Sequence, residues 1–371
     1  MLDTYDIGSL PLRVEESVIY EGARRQGSLL SLIGSQGESS EVFTEEVVTA
    51  TVDKLRMGLT VPNYPQFRDM NVMFFELLRG IEKVEGGYVA LREVTARPGS
   101  SIPEVDVIRE NLSRISDEAG VDRVKLRACV TGPYTLASFF GAKNARLFEE
   151  LGRGLSEIVS RSIFDGRHGE VALICIDEPT LGFLNDPLLD YGSEGRESLK
   201  SSWEELCRAA SSKGVETSIH LHDTSDDLFW EVEHLDLIQA HIGDPLYSQD
   251  ATSRRLEETG KLLKASIFHN QFDDLIEARI RRDGVVEDVE QRVGDTWTRI
   301  RKGDVDPMIF LEEVDAGLAR LKQVVKRFGI EKIPMVGPEC GLGGWPNHET
   351  AMECLRRTAE ATRLFEKGVS A

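Results

Sequence analysis

The chain has 371 residues, enough to bury a large core, and carries a formal charge of −20 from 64 acidic and 44 basic side chains. That balance argues against a nucleic-acid surface and against a basic membrane-binding face. Five widely spaced cysteines do not read as a disulfide framework, and with neither a basic, apolar leader nor an apolar run of bilayer length, a soluble cytoplasmic protein is expected.

In chain order, Ile7-Gly8-Ser9-Leu10-Pro11 is a short apolar start broken by glycine and proline, able to present Ser9 and nearby backbone N–H groups to an anion. Residues 41–57 have helical spacing, 58–62 read as a strand and 63–69 as the polar loop after it. The pattern predicts helix over 70–81, a strand or hairpin arm at 89–94 and helix over 108–119. Strand 124–130 leads through the turn 131–135 into a helix from about Leu136. Helix 147–163, strand 171–176, helix 202–212 and strand 217–222 follow. Next come a helix-like stretch 228–234, strand 235–241 and strand 262–268. One or two exposed helices over 273–301, helix 310–328, strand 333–336 and helix 347–365 complete the chain.

Continuous apolar strands alternating with amphipathic helices predict a parallel sheet covered by helices. Eight or nine such units, without a linker, predict an α/β fold in which residues 1–371 form a single (β/α)8 TIM barrel with extra helices. Its site lies at the C-terminal ends of the strands.

The polar residues gather at those ends: Ser9, Asp177, Glu178, His220, His222, His241, His269, Glu339 and Cys340. A lone strand-end histidine is most often a hydrogen-bonded structural residue, but several strand ends with His or Cys converging on one mouth point to a metal site. Cys340 stands between a proline and glycines, an odd setting for a packing residue, whereas Cys129 and Cys175 lie in apolar strands as core thiols. Imidazole nitrogen with thiolate sulfur suits zinc. Zinc with an open position binds a substrate thiol and presents it as a thiolate to an electrophilic carbon. Asp177, an acid at the mouth, is the natural partner for a substrate ammonium.

Five stretches together resemble the catalytic C-terminal barrel of cobalamin-independent methionine synthases and their short core relatives. They are Ile7-Gly8-Ser9-Leu10-Pro11, Val130-Thr131-Gly132-Pro133-Tyr134-Thr135, Asp177-Glu178-Pro179, Ile219-His220-Leu221-His222 and Pro338-Glu339-Cys340-Gly341-Leu342, in the family's order and across nearly the whole chain. The resemblance implies a zinc-dependent methyltransferase acting on a small thiol, homocysteine first, and makes Cys340 and His222 metal ligands. Asp177 corresponds to the acid that holds the amino acid, and Ile7, Gly8 and Ser9 to the segment around its carboxylate. The family's first zinc cysteine is Thr224 here, and its zinc glutamate falls on His241, giving a ligand set of His222, His241 and Cys340 that His220 or Asp223 completes.

Other positions depart as well. The loop that carries a substrate-binding glutamate reads Asn63-Tyr64-Pro65-Gln66, so Tyr64 and Gln66 take that place and coenzyme M becomes an alternative thiol. Phe139 replaces a pterin-contacting tryptophan and Phe183 a folate-contacting glutamate. Short relatives take their methyl group from a corrinoid, so the resemblance implies a corrinoid or folate-like donor, free or carried on a corrinoid protein, with His269 as the proton-donating histidine. Two rivals remain: a metal-free decarboxylase like uroporphyrinogen decarboxylase, drawing on Arg13, Arg68 and Arg92, and a non-catalytic barrel that binds a corrinoid or an amino acid.

Overall fold

The computed structural model describes residues 1–26, 37–183, 185–284 and 287–369. Its strands are β1 (Asp3–Thr4), β2 (Leu78–Val84), β3 (Gly87–Ala96), β4 (Val124–Thr131), β5 (Asp165–Gly166), β6 (Gly169–Glu178), β7 (Glu216–Leu221), β8 (Leu237–Gln239), β9 (Leu262–Phe268) and β10 (Met335–Pro338). The main sheet has the order β1-β10-β9-β8-β7-β6-β4, every neighbouring pair parallel, with β5 antiparallel on β6.

The two ends of that order are joined by residues 61–64. Val61 N donates to Thr4 O at 2.9 Å, Arg127 N to Pro62 O at 2.9 Å and Tyr64 N to Arg127 O at 3.2 Å. The sheet therefore curls into the expected TIM-type barrel, although 58–62 contributes a single isolated bridge, Val61 to Tyr5, rather than a regular strand. Apolar side chains sort onto two sides of the sheet. Tyr5, Ile7, Val61, Leu173, Leu237 and Met335 form a small cluster, while the other faces of the strands pack with the helices in the large core. Burial on both faces is why these strands read as continuous apolar runs.

The expected helix 70–81 is corrected. Helix stops at Leu77, and Leu78–Val84 instead pairs antiparallel with Gly87–Ala96 as a hairpin. Gly80, at φ 90°, sits where the register shifts, and Gly86, at φ 82°, supplies the tight turn; both need backbone that side chains disfavour. The 108–119 helix is two, Pro103–Glu110 and Leu112–Ala119. The charged segment after β9 holds Phe272–Arg282 and Val289–Arg301 before the helix Val314–Phe328. No described helix is long and apolar enough to cross a membrane.

Candidate metal centre

The C-terminal ends of β7, β8 and β10 bring four side chains together. One donor atom from each of His220, His222, His241 and Cys340 lies within 4.8 Å of all the others. Cys340 Sγ is 3.4 Å from His222 Nε2 and 3.6 Å from His220 Nε2. The rings of His222 and His241 are 4.1 Å apart between centroids. Alternation on β7 points His220 and His222 the same way, and its parallel pairing with β8, where His220 faces Gln239, carries His241 to the same level.

These groups have the character of metal ligands. Burial pushes His222 down to about 4, and it also depresses His220 and His241, so all three imidazoles are neutral near pH 7. Burial raises the Cys340 thiol to about 12. Nδ1 of His220 and Nε2 of His241 are buried without a hydrogen-bond partner, and a buried polar atom left unpaired calls for an explanation. Three neutral nitrogens and one sulfur that a cation would ionise are a donor set for zinc, so the residues present fit the metal. Phe183, 60% exposed, stands edge-on to His222 at 6.3 Å between centroids.

Asp223 is not in the group; its carboxylate accepts from Ser225 N at 2.7 Å. Thr224 turns instead to Asp244, which accepts from both its backbone N–H and its hydroxyl. His269 stands apart from the four, its Nδ1 3.1 Å from Glu339 Oε1, a hydrogen bond that raises its pKa. Glu339 also accepts from Asn270 N and Ile242 N, each at 3.0 Å, so the residue before Cys340 is fixed by the loops that follow β8 and β9.

The remaining candidates are engaged within the protein. Asp177 is buried and pairs with Arg127 Nη2 at 3.2 Å, while Arg127 Nη1 donates to Ile7 O at 2.9 Å and Asn63 Oδ1 at 2.8 Å. Tyr64 is fully buried and donates its hydroxyl to Cys129 O at 3.0 Å. Gln66 reaches Met73 Sδ at 3.5 Å. Gly8 lies so close to Asn63 that a Cβ would come within 2.4 Å of its Nδ2. Ser9 accepts from Leu342 N and, through Oγ, from Gly343 N, locking the first loop of the chain to the loop that carries Cys340.

Two other quoted stretches also interlock. Glu178 accepts from Tyr134 N, Thr135 N and Trp203 Nε1 at 3.0, 2.7 and 2.8 Å, and a Cβ on Gly132 would strike that carboxylate at 2.1 Å. The arginines the decarboxylase reading needs are not gathered at the mouth: Arg13 pairs with Glu46 and Asp53, and Arg68 makes a buried bidentate pair with Glu104. Arg127 carries no expected role, although an arginine inside an apolar strand signals an inward ion pair.

No protein-family model and no curated protein matches the sequence. Among solved structures, the B12-independent methionine synthase from Shewanella sp. W3-18-1, in complex with selenomethionine, aligns over 100% of both chains with TM-score 0.60 at 14% identity. The homocysteine methyltransferase MmuM from Escherichia coli aligns over 97% of this chain and 95% of its own, with TM-score 0.42 at 10% identity. A putative sugar phosphate isomerase/epimerase from Anabaena variabilis covers 100% and 99%, with TM-score 0.45 at 10% identity. At such identities the likeness is one of fold, and the chain shares the barrel architecture of the first.

Proposed function

We propose that His220, His222, His241 and Cys340 hold a zinc ion and that the protein transfers a methyl group to a small thiol, with homocysteine as the first candidate. The observation that carries this reading is the cluster itself, three nitrogen donors and one sulfur at the mouth of a barrel that shares its fold with a B12-independent methionine synthase. Bound there, zinc lowers the pKa of a substrate thiol and supplies a thiolate nucleophile at neutral pH.

The chain's own residues prepare that chemistry. Burial keeps the three imidazoles unprotonated, the state in which each offers a lone pair. With one cysteine and no carboxylate in the set, a divalent cation held there would keep a net charge of +1, which an anionic sulfur would neutralise. Phe183 places an apolar edge beside His222, where it screens one side of the cluster from water. His269, oriented by Glu339, is the group suited to handle a proton for the leaving donor. The donor is a corrinoid or folate-like compound.

A second thiol is favoured by one feature. Asp177 already gives one carboxylate oxygen to Arg127, and the Tyr64 hydroxyl is spent on Cys129 O, so a substrate ammonium meets an acid whose charge is partly neutralised, and a thiol without one, such as coenzyme M, suits that interior better. The test is thioether formation, followed by mass spectrometry, from methylcobalamin or a methylated folate with homocysteine and with coenzyme M. Zinc-loaded protein is expected to form product, and metal-stripped protein and Cys340→Ala are not. Metal-loaded protein that alkylates no thiol with either donor contradicts the proposal and leaves the reading as a binding barrel.

A further inference from the structure

Beside the barrel mouth, the segment after β9 encloses a cavity of about 490 Å³. One stripe of the helix Phe272–Arg282 forms a wall of it: Asp274, Leu275, Ala278, Arg279 and Arg282, at the three- and four-residue spacing that shares a helix face. Phe310 and Leu311 add apolar surface, together with Ile309, which is 51% exposed. His269 lines the cavity at the helix's N-terminal end. A cavity of this size suits a small molecule.

Its charges sort into paired groups and groups left to solvent. Glu312 and Arg320 bind each other through two hydrogen bonds of 2.6 and 3.0 Å, the exposed Glu313 stands 3.7 Å from Arg357, and Arg279 shares Asp283 at 3.2 Å. Among the described residues, the side chains of Asp274 and Arg282 find neither an ion-pair nor a hydrogen-bond partner. An acid near the start of a helix and a base at its end also complement the helix dipole, but that does not account for the apolar cavity between them. Eight residues at the helical rise separate the two charges by about 12 Å along the axis.

We infer that this cavity is a binding site for an elongated zwitterion: an apolar chain with a cationic group against Asp274, on the His269 side, and an anionic group against Arg282. The chain lies along Leu275, Ala278 and Phe310. A ligand with both charges gains at both ends, whereas one with a single charge leaves the opposite end unmatched. The site does not depend on what the His/Cys cluster holds, and its test is separate from that of the methyl-transfer reading.

The experiment titrates the full chain with ω-aminooctanoate, octanoate and octylamine, following the His269 ring resonances by NMR and the heat of binding by calorimetry. The zwitterion is expected to bind saturably, to move the His269 signals, and to bind roughly fivefold more tightly than either singly charged probe. Both charged residues are exposed, so reversal leaves the fold intact. Arg282→Glu removes the advantage over octylamine, and Asp274→Lys the advantage over octanoate, with metal content unchanged. No saturable binding, equal affinity for the three probes, or a preference that survives both reversals overturns the inference.

Discussion

Arg127→Met tests how the interior beneath the cluster is held together. The guanidinium is fully buried and makes three contacts: Asp177 at 3.2 Å, Ile7 O at 2.9 Å and Asn63 Oδ1 at 2.8 Å. Methionine keeps much of the volume but none of these bonds. Leaving one member of a buried ion pair without its partner costs about 3–5 kcal/mol, and the abandoned Ile7 carbonyl adds about 1 kcal/mol. Against a total stability of about 5–15 kcal/mol, this is a fall of about a quarter or more in the urea midpoint.

The loss also has a sign with pH. Burial pushes the Asp177 carboxyl up and Arg127 holds it back. Without Arg127 its folded-state pKa stands further above the unfolded value, so the stability deficit is greatest at high pH and shrinks as pH falls through the raised value. Adding Asp177→Leu removes the stranded charge and is expected to recover about 2 kcal/mol or more of the single variant's loss. Urea denaturation of the two single variants, the double variant and wild type at pH 5 and 8 measures all of this. A single variant within about 1 kcal/mol of wild type, or additive effects, refutes the buried pair as the interior's organising contact.

The locked loops make a second prediction: in Gly341→Ala the new Cβ would lie 2.0 Å from Ser9 Oγ, a clash that lowers stability by about 1–3 kcal/mol. Ser9→Ala in the same chain relieves part of it, and thermal melts in which the two changes add independently speak against the lock. The Glu339–His269 hydrogen bond makes a third. Glu339→Gln is expected to bring the raised His269 pKa back toward its ordinary value, seen as a lower midpoint in an NMR titration of its ring. Wild-type His269 stabilises the fold below its unfolded pKa, a contribution lost as pH rises through the folded value; the variant loses that dependence. An unchanged midpoint assigns the shift to something other than Glu339.

Much of the barrel was legible because strands buried on both faces read as largely apolar runs, unbroken over residues 171–176 of β6 and interrupted only by Lys264 and Ser266 in β9. The hairpin after Leu77 was not, because Met73, Phe74, Leu77 and Leu78 keep helical spacing across the boundary; the turn glycines at 86 and 87 carried the signal. At the site, strand alternation directed attention to His220 and His222 and the Pro/Gly bracket to Cys340, whereas His241 was marked only by its place at a strand end and by the family resemblance. The fate of Asp177 and Tyr64 was hidden, since whether an acid meets substrate or an internal arginine depends on what faces it across the barrel. Arg127 is 50 residues from Asp177 in sequence, and the pairing of β4 with β6 sets Arg127 opposite Leu173 and Asp177 opposite Thr131, so the ion pair forms only because the long arginine side chain runs up the barrel interior.

The central claim is that the cluster is a metal centre built on one sulfur. X-ray absorption at the zinc edge, joined to elemental analysis of wild type and Cys340→Ala, tests it most directly. The account predicts about one zinc per chain with a single sulfur and otherwise nitrogen neighbours from the protein, and loss of the sulfur shell and most of the metal in the variant. Protein that takes up no metal on reconstitution, or zinc bound equally well without Cys340, contradicts it.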